Sequence, residues 1–214
     1  MKENKVAFII SEVIQGEGGC NVASKEFIKN LEKFAKQYEV PLILDEVQSG
    51  LGRTGKWWAF EHYDVKPDIM SMAKALHVGV ADYNRIFDPD VEGVLSSTWG
   101  AGSRIDMAVG AKIIDVISQE KLITNAATKG EALKKGLNEM VGRNGIVDVR
   151  GIGLMIGIEF DLRERRDKKL RELFKRGLLL LPAGHNAMRV MPPLIIGDEE
   201  IQEGLAIMNE VLLS

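Results

Sequence analysis

The chain has 214 residues, with 28 Lys+Arg against 31 Asp+Glu, 45% hydrophobic and 28% charged residues, and a single cysteine. This length can bury a sizeable core without metal or disulfide staples, and a net charge of −3 argues against a dedicated nucleic-acid binder, which needs a strongly basic face. Cys20 has no internal partner, and His62, His77 and His185 lack ligands at metal-binding spacing, so a metal site is not expected. The amino end mixes charges and then offers only the short apolar run Val6 to Ile10, too short for a signal-peptide core or a membrane span, which points to a cytoplasmic protein.

Val6 to Ile10 reads as a buried strand that leaves its sheet into the glycine-rich stretch Gln15 to Gly19. Ser24 is placed to cap a helix whose apolar face is Phe27, Ile28, Leu31, Phe34, Ala35 and Tyr38. Pro41 to Leu44 gives a second strand ending at Asp45, which makes a βαβ unit and a parallel sheet. A Gly/Thr loop (Ser49 to Gly55) and an aromatic segment (Trp57 to Tyr63) follow, and Pro67-Asp68 then introduces a third strand, Ile69 to Ala73, ending at Lys74.

The later part has a different texture. Helical spacing from Asp106 to Val141 predicts one long helix or two joined near Gln119 to Lys121, closed by Gly142 to Gly145. Val147 to Phe160 reads as one or two glycine-interrupted strands, Asp161 to Arg176 as a charged helix, Leu178 to Leu181 and Met188 to Met191 as short strands, and Glu199 to Leu213 as a final helix. The expected class is α/β. A partial parallel-sheet cofactor domain, residues 1–118, precedes a smaller α+β domain, residues 119–214.

Ligands of a parallel α/β sheet sit outside the carboxyl ends of its strands. Those ends carry Glu12, Asp45-Glu46 and Lys74. Such residues can be nothing more than solvated strand ends, but an aspartate able to hold a protonated pyridine nitrogen beside a lysine able to attack an aldehyde is the protein's half of pyridoxal-phosphate chemistry.

The run LILDEVQSGLGRTGKWWAFEHYDVKPDIMSMAKAL, Leu42 to Leu76, closely resembles the signature of class III, fold type I, pyridoxal-phosphate-dependent aminotransferases. The resemblance extends in order through AFIISEVIQGEGG (Ala7 to Gly19), SSTWG (Ser96 to Gly100), DVRGIGLMIGIEF (Asp148 to Phe160) and LLLLPAGHNAMRVMPPL (Leu178 to Leu194), nearly the whole chain. It implies pyridoxal 5'-phosphate as cofactor and amino-group transfer between an amino acid or ω-amine donor and a 2-oxo acid. Some relatives of this class racemise amino acids with the same lysine.

The resemblance also implies roles. Asp45 matches the aspartate on the pyridine nitrogen, Val47 the aliphatic residue on one ring face, and Gln48 the residue near the phenolic oxygen. Lys74 matches the Schiff-base lysine and proton shuttle, and Thr98 a threonine that reaches the phosphate of the opposite subunit in a dimer. Arg189 matches the arginine that grips a substrate carboxylate, and Glu17 a glutamate that pairs with that arginine in several members. Taken without the resemblance, Val47 reads as core, Thr98 as a helix cap, and Arg189, Glu17 and Gln48 as ordinary strand or loop polar residues. The matched segments correspond to the carboxyl-terminal half of the family's longer chains. The expected partners are therefore a second copy, a separate amino-terminal half, or both; an orphaned half acting only as a folded or interaction module is the non-enzymatic reading. After Lys74 the chain runs Ala75-Leu76-His77-Val78-Gly79, and after Trp99 it runs Gly100-Ala101-Gly102-Ser103, both departures from the family pattern that bear most on Thr98.

Overall fold

A computed structural model describes residues 6–91 and 102–214. Its first sheet is built from β1 (Ile9–Ser11), followed by a two-stranded hairpin of β2 (Ile14–Gln15) and β3 (Asn21–Val22), then α1 (Lys25–Tyr38) and β4 (Leu42–Asp45). Ser24 caps α1 as expected, its hydroxyl accepting the Phe27 amide at 3.1 Å. Ile28 and Ala35 are the fully covered residues of the predicted helix face, whereas Phe27 and Phe34 stay exposed. β1 and β4 pair in parallel around this crossover, and β5 (Ile69–Met72) joins β4 in parallel with Asp45 opposite Ser71.

A fourth strand, β6 (Val80–Tyr83), pairs antiparallel with β5, so the order is β1-β4-β5-β6 and the sheet is mixed. The expected parallel sheet is present as β1-β4-β5, and this strand adds an antiparallel edge to it. Its VADY sequence is too short and too polar to announce itself, and it forms because a tight turn at Lys74–Leu76 sends the chain straight back along β5. The first strand also lies later than the Val6 to Ile10 run predicts, because β1 takes its register from Leu42, Ile43 and Leu44 of β4.

Two helices, α2 (Arg104–Gln119) and α3 (Leu122–Asn138), replace the single long option. They break at Lys121, whose left-handed φ of 55° ends one helix axis and starts another. The second sheet then follows with β7 (Ile146–Ile152), β8 (Met155–Phe160), α4 (Arg163–Lys175), β9 (Leu181–Ala183), β10 (Ala187–Val190) and α5 (Asp198–Leu213). Its order is β7-β8-β10-β9, antiparallel throughout. The run Leu178 to Leu181 is strand only from Leu181, which shifts that element toward its turn at Gly184.

Alternation on β8 sends Ile156, Ile158 and Phe160 into one core with Leu133 and Leu137 of α3, Leu173 of α4 and Met208 and Leu212 of α5. A second core joins Ile14, Ile28, Leu42, Leu44 and Tyr63 with Met155, contributed by the second sheet. A smaller cluster of Leu51, Leu76, Ile117 and Leu122 lies where α2 crosses the turn after β5. Each fully buried aliphatic side chain contributes roughly 1.5–3 kcal/mol against ordering costs of similar size.

The two sheets meet through backbone. A Cβ on Gly153, in the β7–β8 turn, would lie 2.6 Å from the carbonyl carbon of Thr54, and one on Gly130 of α3 would lie 2.3 Å from the carbonyl of Gly153. The Leu154 amide donates to the Arg53 carbonyl at 3.0 Å. None of the helices among the described residues is long and apolar enough to cross a membrane.

Candidate active site

The parallel pairing of β4 and β5 brings their carboxyl ends to one rim. Asp45 closes β4, and its Oδ1 accepts both the Val47 amide at 2.9 Å and the Ser71 hydroxyl at 3.0 Å. This Asx turn fixes the carboxylate, while Oδ2 has no hydrogen-bond partner among the described residues. Ser71 was missed from sequence; its signal is one polar residue in the apolar run Ile69-Met70-Ser71-Met72.

Glu46, a rim candidate alongside Asp45, turns the other way. It is 1% exposed and accepts the Ser49 hydroxyl at 2.6 Å and the Phe60 amide at 2.8 Å. Burial pushes its carboxyl pKa up despite these bonds. It pins the loop between β4 and the aromatic segment and leaves Asp45 as the acid on the rim. Glu12 likewise serves its own loop, Oε1 accepting the Gly16 amide at 3.1 Å.

Lys74 stands just past the end of β5, exposed, at the head of the turn Lys74–Leu76. Its φ of 50° is left-handed, a conformation that costs a side-chain-bearing residue roughly 1–2 kcal/mol. The surroundings hold it there: the His77 amide donates to the Lys74 carbonyl at 2.8 Å, and α2 presses on the turn at Gly110, where a Cβ would lie 2.8 Å from the Leu76 carbonyl. Non-glycine residues kept in such conformations cluster at functional sites. Val47 and Gln48 occupy the half-buried turn after Asp45.

Opposite this rim, β10 presents Arg189. Its Nη1 donates to Glu17 Oε1 at 2.6 Å and to Gln48 Oε1 at 2.8 Å, and Gln48 Nε2 donates to the same Glu17 oxygen at 3.3 Å. The guanidinium is largely covered and the glutamate largely exposed. Residues separated by most of the chain thus close one polar triangle. Glycine at position 16 makes room for it, since a Cβ there would lie 2.0 Å from Gln48 Oε1. Hydrogen bonds from Arg189 and then Gln48, followed by the Arg189 charge, hold the Glu17 carboxyl below the ordinary glutamate range, and the Lys74 ammonium adds to the effect. The amine of the first rim is therefore within electrostatic reach of the triangle.

Arg53 ties the strand of Arg189 to the first sheet. Its Nη1 donates to the Pro192 carbonyl at 2.5 Å, and burial lowers its pKa to about 10. Asn125 holds the same segment, donating to the carbonyls of Leu194 at 2.7 Å and Ile196 at 3.0 Å. His62 contacts the Thr54 hydroxyl at 3.1 Å and His185 is exposed in a turn. Thr98 lies outside the described residues. Among the described residues no cluster of His, Cys, Asp and Glu is arranged to hold a metal ion.

The rim at the ends of β4 and β5 thus carries an acid and a lysine, and Arg189 of β10 is paired with Glu17 and Gln48. The family model for class III aminotransferases matches residues 1–212. The chain belongs to this family. The acetylornithine aminotransferase of Caldanaerobacter subterraneus subsp. tengcongensis is 38% identical over 98% of the chain and 54% of its own length. Ornithine aminotransferase 1 of Staphylococcus saprophyticus is 37% identical over 98% of the chain and 54% of its own length. A lysine aminotransferase from M. tuberculosis, solved in the internal aldimine form, superposes with a TM-score of 0.91 at 34% identity, covering 97% of the chain and 49% of that structure. This class III chain therefore spans about half the length of the relatives it matches.

Proposed function

We propose that the chain supplies the lysine, the ring-facing carboxylate and the carboxylate-gripping arginine of a pyridoxal-phosphate-dependent transaminase, which moves an amino group between an amino donor and a 2-oxo acid. The observation that carries this reading is the convergence on one rim of Asp45, with Oδ1 held and Oδ2 without a partner among the described residues, and Lys74, opposite the triangle of Arg189, Glu17 and Gln48. Residues 1–118 are read as part of the large cofactor domain and 119–214 as the smaller domain. The remainder of the site comes from a polypeptide equivalent to the part of the relatives outside the match, and Thr98 is assigned to the phosphate across a homodimer. The single, buried Cys20 suits a reducing cytoplasm.

The donor set fits the cofactor. Asp45 Oδ2 has no competing bond among the described residues and is the natural acceptor for a pyridinium N–H, and the half-buried Val47 offers a ring an aliphatic face. When bound, pyridoxal phosphate supplies an aldehyde and an electron-withdrawing ring. The chain's own contribution is positional and protonic. Asp45 keeps a proton on the ring nitrogen, with Ser71 and the Val47 amide fixing its aim. Lys74 Nζ carries a proton to and from the substrate carbon. Arg189 offers a planar fork to a substrate carboxylate, and Glu17 covers that fork when the substrate presents none.

Reconstitution tests the proposal. The chain is mixed with pyridoxal phosphate and a separately produced amino-terminal half of a class III relative, then assayed for amino transfer from ornithine to 2-oxoglutarate and for racemisation of the donor. Transfer that needs both polypeptides and disappears with Lys74→Ala is expected; an assembled pair that binds the cofactor yet transfers nothing, or only racemises, contradicts it.

A further inference from the structure

Glu17 sits on an exposed loop, yet its carboxylate meets Arg189 at 2.6 Å. The loop is held from below by the second sheet. Arg150 of β7 donates from Nε to the Gly19 carbonyl at 3.0 Å while its other nitrogens are fixed by Glu159 at 2.6 Å and Asp148 at 3.1 Å. The Gly184 amide, in the β9–β10 turn, donates to the Glu17 carbonyl at 2.6 Å. Two glycines let the loop lie flat: a Cβ on Gly157 would be 2.6 Å from the Gly19 carbonyl oxygen, and one on Gly184 would be 2.5 Å from that of Gly18. The sheet that carries Arg189 thus also carries the template for the loop bearing its partner.

We propose that Arg150 is a positioning residue that sets the Glu17–Arg189 latch by fixing the carbonyl of Gly19 on the second sheet. Among the described residues the Arg150 side chain hydrogen-bonds the Gly19 carbonyl, Asp148 and Glu159, and not Arg189 or Glu17. Its three anchored nitrogens make it a rigid bracket, and the planar guanidinium gives a fixed direction that a lysine ammonium lacks. Release of the bracket lets the Glu17 backbone rise, lengthens the carboxylate–guanidinium contact and uncovers Arg189. This inference rests on the assignment of Arg189 to substrate carboxylates, but the latch itself is measurable in the 214-residue chain without cofactor.

The test follows the Glu17 carboxyl by carbon-detected NMR through an acid titration in the wild-type chain and in the Arg150→Met, Arg150→Lys and Gly184→Ala variants, with Arg189→Gln as reference for a fully open latch. Folding of each is checked by its amide spectrum. The expected result is an upward shift of the Glu17 midpoint in every folded variant, to roughly half or more of the shift in Arg189→Gln. Arg150→Lys keeps the charge, so its shift separates positioning from simple loss of a cation. Gly184→Ala displaces the same loop from the turn side, its Cβ crowding the Gly18 carbonyl, and remains informative if the Arg150 variants do not fold. A folded Gly184→Ala chain, or folded Arg150 variants, with the midpoint of wild type overturn the inference. A bare loss of thermal stability with an unmoved midpoint also overturns it, since that is what a purely structural Arg150 would give. Failure here leaves the transaminase proposal standing, because that is read from amino transfer.

Discussion

At the scale of single residues, aim matters more than presence. Asp45 and Glu46 are adjacent acids, and a pair of hydrogen bonds decides their fates: Ser71 and the Val47 amide hold one at the rim, while Ser49 and the Phe60 amide draw the other inward. Ser71→Ala is expected to leave the fold intact and to weaken pyridoxal-phosphate affinity of the assembled protein by about tenfold to a hundredfold, because losing one hydrogen bond to a charged acceptor costs about 1.5–3 kcal/mol and each 1.4 kcal/mol is tenfold; a spectroscopic cofactor titration measures it. Glu17 adds a pH dependence whose sign is fixed. Its folded-state pKa is lowered, so the Glu17–Arg189 contact is present above the ordinary glutamate range and is lost as pH falls through the lowered value. Chemical shifts of the Arg189 side chain are expected to change across that acid window and to be flat above it.

These residues differed in how far the sequence revealed them. Asp45 and Lys74 were legible because strand-end position and side-chain chemistry coincide there. The clustering of Arg189 with Glu17 was named only through resemblance, since no spacing rule joins residues so distant in the chain. Ser71, Arg53 and Arg150 act through side-chain bonds to carbonyls or carboxylates, and such bonds leave no periodic trace.

At the scale of elements, the helix caps and strand alternation were readable because both are local. The break at Lys121 was readable only as one of two options, and the strand Val80–Tyr83 not at all. The first depends on a left-handed residue with no glycine to mark it, and the second on a turn that forms only against α2. The backbone stack from α3 through the β7–β8 turn to the loop at Arg53 was equally silent, although its glycines are visible in sequence. Gly130→Ala is expected to destabilise the chain by about 1–3 kcal/mol through overpacking against Gly153. Gly153→Ala is expected to cost more, as its φ of 57° adds strain. Thermal unfolding measures both, and Gly79→Ala, with open space around its Cβ position, is the control.

At the scale of the molecule, the first sheet ends in β1 and β6, whose outer edges are unpaired among the described residues, and the residues around them carry exposed apolar side chains, among them Phe8, Ile10 and Ile86. Edges and patches of this kind are association surfaces. They suit a chain that spans about half the length of its relatives, and composition alone gave no hint of this because an exposed leucine or phenylalanine counts the same as a buried one. The isolated chain is therefore expected to self-associate in sedimentation at micromolar concentration, and the amino-terminal half is expected to suppress that association by covering the same surface.

In the function proposed above, Lys74 is the reactive amine of a cofactor site completed by a second polypeptide. Borohydride reduction of the chain with pyridoxal phosphate, followed by peptide mass mapping, tests it most directly. Weak labelling is expected in the chain alone, strong labelling confined to Lys74 once the amino-terminal half is present, and loss of that label with Lys74→Arg. A label spread over surface lysines, or no label at Lys74 in the assembled pair, would contradict it.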